Sequence, residues 1–210
     1  MPPDPRRAPG HPGRSSTPGP YWVDLPATSI CLRAHACAPR VVTDVSRRRG
    51  SQLTPELVER LAQRDVPNRL GVVLPFVTLD AEGRPHPMLL SYLEIRAYDA
   101  RTLGLVIQAA SGSASNLVQR GVGTLLVVEP DAVAYVKARL LDGPFPVAGG
   151  EEAGLGYFLL EVEEVLEDSV ADWEAGMRLT GGARYAPAPT LEEPWARATL
   201  DALATPRARA

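Results

Sequence analysis

Lysine is almost missing from this chain: Lys137 is the single ammonium side chain among 22 basic residues, so a cation on a strand interior is conspicuous. Cysteine is scarce too. Cys31 and Cys37 both lie in the N-terminal segment, so residues 51–210 hold no internal disulfide and no hint of an oxidising compartment. With His35 they make three donors in a Pro/Arg-rich stretch without a second cluster, which is too little for a zinc site. No apolar run approaches the roughly 20 residues of a membrane helix, and no apolar stretch follows Arg6 and Arg7 as a secretory leader requires. These absences predict a cytoplasmic protein with no metal and no membrane partner.

What is present suits one globular domain: 210 residues, 45% hydrophobic and 22% charged. A net charge of −3 gives no electrostatic case for nucleic acid. The charge is divided unevenly. Residues 1–50 hold eight Arg against three Asp, a net of +5, which leaves −8 for residues 51–210. The same fifty residues hold nine of the 21 prolines and follow neither a helical nor a strand period. They cannot bury enough apolar surface to offset chain entropy, and we read 1–50 as disordered, or as the product of an upstream start.

Order begins at residue 51. Thr54 can cap a short helix, Pro55 suits its first position, and Leu57, Val58 and Leu61 form one apolar stripe. The period then shortens. GVVLPFVTLD (71–80), RPHPMLLSYLEI (84–95) and TLGLVIQAA (102–110) read as successive strands, followed by GTLLVVE (123–129), VAYVKARLL (133–141) and YFLLEVEEVLE (157–167). Pro75 marks an edge, a bulge or an early end in the first of them. Residues 142–156 read as a Gly/Pro-rich loop. Six strands interrupted by one helix predict a mainly β fold, an antiparallel barrel with flanking helices over 51–170. The extension 171–210 adds helical turns near VADWEAGM and a helix at TLEEPWARATLDALA, with Thr190 and Glu193 spaced as a capping box.

Between the third and fourth strands stands AASGSASNLVQRG (109–121). Its flanks are a strongly apolar strand and a helically spaced Leu117–Val118 pair, so the serines mark a strand-to-helix junction, not a linker. Such a junction presents unpaired N–H groups and the positive end of a helix dipole, apt for phosphate or carboxylate. Serines are equally ordinary helix caps, and both readings stand at this point.

The order of these pieces, EGRPHP with its strand, the junction ending in SNL and the next apolar strand, resembles the FMN-binding split-barrel family typified by pyridoxamine 5′-phosphate oxidase. The resemblance spans roughly residues 52–170. It implies a six-stranded split barrel, a homodimer with FMN in a groove at the subunit interface, and hydride or electron transfer to a small molecule. Leu89, Leu90, Ser91 and Tyr92 would line the flavin ring, and Ser111, Ser113, Ser115 and Asn116 would face its phosphate. Family members that hold FMN firmly place Arg or Lys at the junction and on the second strand, whereas this chain has Gly112, Ala114 and Ser115, and no basic residue between Pro85 and Glu94. Lys137, Arg139 and Arg120 are the candidate replacements, Lys137 foremost; the other reading of Lys137 and Arg139 is a solvated sheet face. His86, between two prolines, is either a donor to flavin or substrate or a surface residue near a turn. The alternatives are a flavin-free barrel acting as a ligand-binding or structural dimer, and a deazaflavin or haem in place of FMN. No hydrolytic triad or carboxylate pair is visible, and flavin chemistry asks little of side chains.

Overall fold

The computed structural model describes residues 46–169, 176 and 178–207. Most of the segment expected to be disordered, and the turns expected around 170–177, lie outside them. The segment's last residues are ordered: β1 (Ser46–Gly50) pairs antiparallel with β8 (Leu155–Asp168). Arg48 meets Glu164 at 2.7 Å and Arg49 meets Glu167 at 2.6 Å. The clustered arginines thus find the acidic strand; exposed pairs of this kind are worth at most about 1 kcal/mol each, so the backbone ladder carries the pairing.

Helix α1 (Pro55–Leu61) starts as its sequence predicts, with Thr54 Oγ1 accepting from Leu57 N–H at 3.4 Å. A short α2 (Val66–Arg69) leads into β2 (Val73–Leu79) and β3 (Pro85–Ser91). Asp80 shapes the turn between these strands, accepting from the backbone N–H groups of Glu82 and Arg84. Pro75 is tolerated because β2 pairs with β6 (Val122–Glu129) only from Phe76 onward. The second strand ends earlier than expected: a 3₁₀ turn at Tyr92–Glu94 separates β3 from β4 (Ile95–Ala97). Then come β5 (Thr102–Gln108), α3 (Gly112–Arg120) and β7 (Ala132–Pro146). The last of these runs on through bulged pairing with β8 where a loop was expected.

The sheet order is β3-β2-β6-β7-β8-β5-β4, with β1 on β8 beside it, so eight strands stand where six were expected. The extra two are β1 and the short β4. Leu74, Phe76 and Leu90 from one end of this order join Leu105, Phe158 and Leu160 from the other in one cluster, so the sheet curls around its core as a half-closed barrel. Each fully buried side chain of this size contributes about 1.5–3 kcal/mol. Helix α4 (Pro194–Leu203) packs outside, where Ala198, Ala202 and Leu203 meet Val106, Tyr157 and Leu159. Strand β5 is therefore buried on both faces, which explains its unbroken apolar sequence. Gly104 permits that contact, since a Cβ there would stand 2.7 Å from Leu203. The predicted capping box is absent. Glu193 caps α4 by position, without a side-chain bond, and its N–H reaches the Thr190 carbonyl at 3.3 Å, because Pro194 sets the first turn.

Candidate ligand groove along β3

Strand β3 ends the sheet, so one of its edges faces away from β2. The bond from Tyr92 N–H to the Val72 carbonyl sets the phase. Counting back by two, His86, Met88 and Leu90 turn their backbone toward β2, and Pro85, Pro87, Leu89 and Ser91 turn it outward. The two prolines carry no N–H, which blunts the edge against stray pairing. Side chains alternate as well. Leu89 is 58% exposed, whereas Leu90 and Tyr92 are core residues. Tyr92 donates to the Arg60 carbonyl at 2.9 Å, and the Arg69 guanidinium sits 4.8 Å from its ring centroid. Of the four residues proposed for the flavin ring, the Leu90 and Tyr92 side chains are therefore occupied in the core, and Leu89 and Ser91 line a cleft.

At the start of α3, Ser111 Oγ caps the helix by accepting from Ala114 N–H at 3.1 Å, and Ser115 Oγ accepts from Gln119 at 3.0 Å. Ser113 is buried. Asn116 donates to Thr78 Oγ1 at 3.1 Å, and Thr78 donates to the His86 carbonyl at 3.3 Å, a chain that ties α3 through β2 to β3. The N–H groups of Gly112 and Ser113, at the first two helical positions, have no intrahelical acceptor. Beside them stands His86: a Cβ on Gly112 would lie 3.5 Å from its Nε2. The exposed histidine thus joins the edge of β3 to the amino end of α3. Sequence spacing does not show this, because 26 residues separate His86 from Gly112.

The candidate cations are engaged elsewhere. Lys137 donates to Glu164 at 2.5 Å, its partner in the β7–β8 register. Arg139 pairs with Glu161 and reaches Glu163 at 3.5 Å. Arg120 donates to the backbone carbonyls of Asp80 and Ala81. Lys137 and Arg139 are exposed and alternate with buried Ala138, as on a solvated sheet face.

The C-terminal segment reaches the same region. Val73 N–H donates to the Ala183 carbonyl at 3.1 Å, Tyr185 N–H to that of Gly71 at 2.9 Å, and the Tyr185 hydroxyl to that of Leu89 at 3.0 Å. Between this segment and β3 lies a cleft of about 600 Å³, lined among others by Leu89, Ser91, Glu94, Tyr185 and Trp195. Glu94 accepts from Ser91 N–H at 2.5 Å, and burial nevertheless pushes its carboxyl above the ordinary glutamate range. Nothing in the sequence marks Glu94, Tyr185 or Trp195 as neighbours. Among the described residues no metal-binding cluster of His, Cys, Asp and Glu occurs.

No family model and no curated protein matches the chain. Similar solved structures include a candidate pyridoxamine 5′-phosphate oxidase from Lactobacillus delbrueckii, 16% identical at TM-score 0.44, covering 57% of this chain and 98% of that one. An FMN-binding protein from Syntrophomonas wolfei is 14% identical at TM-score 0.42, covering 55% and 88%. An FMN-binding domain of a flavin reductase-like enzyme from Shewanella baltica is 13% identical at TM-score 0.40, covering 66% and 94%. Likenesses at this level say nothing of chemistry. The architecture, a curled antiparallel sheet with flanking helices, is the mainly β split barrel that the order of elements implied.

Proposed function

We propose that the protein is an FMN-dependent oxidoreductase of the split-barrel type, acting on a small molecule as a homodimer, with the cofactor laid along the outer edge of β3. The observation that carries this reading is the contact between His86 and Gly112. It brings a side chain of β3 to the amino end of α3, and Leu89 and Ser91 follow farther along the same strand. At a strand rise of about 3.4 Å per residue, His86 and Ser91 stand about 17 Å apart, the span of an extended flavin mononucleotide. Gly112 and Ser113 N–H groups and the His86 ring would meet the phosphate. The Leu89 side chain and its outward N–H would support the ring, the Leu89 carbonyl and the Ser91 N–H being engaged by Tyr185 and Glu94. When bound, the flavin itself supplies the hydride chemistry. Leu89, and Val118 at 50% exposure on α3, are apolar side chains on the two elements that form the groove, and they suit a second copy closing it.

The groove would hold the cofactor through neutral donors, since the cations that could replace the family's phosphate grip, Lys137, Arg139 and Arg120, are engaged elsewhere. That observation favours the second reading, a flavin-free ligand-binding dimer. The visible spectrum of the purified protein, followed by FMN titration, separates the two. Flavin bands or micromolar affinity support the oxidoreductase; a colourless protein that binds no FMN overturns it. Light scattering tests the dimer.

A further inference from the structure

We infer that the cleft between β3 and the C-terminal segment is a binding site for an organic cation with an aromatic or alkyl body. Its wall combines Tyr185, Pro187 and Trp195, and two carboxyl side chains, Glu94 and Glu193, share it. Among the described residues no basic side chain lines it. In a chain with 22 basic residues that is a discriminating fact, because the clefts beside α1 hold Arg49, Arg60, Arg64 and Arg69, and the one beside α4 holds Arg197. Arg184, next to Tyr185 in sequence, is not part of the lining.

The chemistry selects charge sign and shape together. Aromatic faces attract cations through their quadrupole, most strongly where water is thinned out. Glu94 is held in place by the Ser91 N–H, so its second oxygen need not be reoriented to receive a donor. A bound cation would also offset the burial that makes the Glu94 carboxylate costly. An anion would meet two carboxylates and no compensating group. The volume, about 600 Å³, suits a small molecule. The site shares Leu89 and Ser91 with the proposed flavin groove, and the inference does not depend on that groove.

The test is calorimetric titration of the full chain with three probes of matched shape: 2-phenylethylammonium, 2-phenylethanol and phenylacetate. The ammonium should bind at least about tenfold more tightly than the other two. In E94Q its affinity should fall about tenfold while that of the alcohol stays unchanged. E193Q, at an exposed position, should give a smaller loss in the same direction and serves if E94Q misfolds. Equal or tighter binding of phenylacetate, no response of the ammonium to either variant, or no binding of any probe at millimolar concentration would overturn the inference. FMN binding is read separately from its visible band, so either proposal can fail alone.

Discussion

The Tyr185 hydroxyl donates a hydrogen bond to the carbonyl of Leu89, 3.0 Å away and 96 residues earlier in the chain. It fastens the C-terminal segment to the outward edge of β3. Phenylalanine at 185 keeps the ring and loses the bond. Y185F should lower stability by about 0.5–1.5 kcal/mol, measured by urea denaturation, with an unchanged far-UV spectrum.

If His86 and the first amides of α3 hold a phosphate, H86A should weaken FMN about threefold to tenfold and leave riboflavin affinity unaltered. Equal losses for the two flavins would place His86 elsewhere. Replacing Ser111, Ser113 and Ser115 together by alanine should also weaken FMN without dissociating the dimer. S111A alone should cost about 1 kcal/mol of stability, because its hydroxyl caps α3.

Glu129 accepts from Arg60 through one carboxylate oxygen and from Arg69 through the other, at 2.8 and 2.5 Å, with all three side chains at most 20% exposed. This joins both N-terminal helices to the end of β6. E129Q should destabilise by about 3 kcal/mol, because it leaves the poorly solvated Arg69 guanidinium without its counter-charge and Arg60 with only the exposed Asp131. Chemical denaturation measures it; a loss below 1 kcal/mol would show that water reaches the cluster freely.

Burial raises the Glu94 carboxyl above its unfolded value, and that sets the sign of its pH dependence. The folded state holds this proton more tightly than the unfolded chain. The stability contributed by Glu94 is therefore complete below the ordinary glutamate value of about 4.3 and is lost as pH rises through the raised value. E94Q should be more stable than the parent at neutral pH, and the difference should vanish in acid. Melting temperatures of the two proteins across pH 3.5–8 check this; a gap that does not change with pH would contradict it.

The legible part of the fold rested on short-range pattern. Thr54 and Pro55 announce α1, the alternation in VAYVKARLL announces a half-buried strand, and Gly121 at φ 71° closes α3 after its last apolar turn. Elsewhere distant residues decided the matter. The stretch at 47–49 looked like part of a disordered arm until β8 gave it a backbone ladder and carboxylates. Lys137 looked available until register set it against Glu164. Within MLLSY, one-residue phase decided that Leu90 and Tyr92 are core and that Leu89 and Ser91 line the cleft.

By itself, then, the sequence determined the six main strands, α1, their order and the serine-rich junction, because period, caps and turn residues act over a few positions. Only the tertiary structure decided which edge of β3 faces away from the sheet, which cations are spent on neighbouring carboxylates, and that His86 meets Gly112 while the Tyr185 hydroxyl reaches the Leu89 carbonyl. Those facts depend on strand register and on contacts across tens of residues, where a shift of one position turns each side chain to the opposite face.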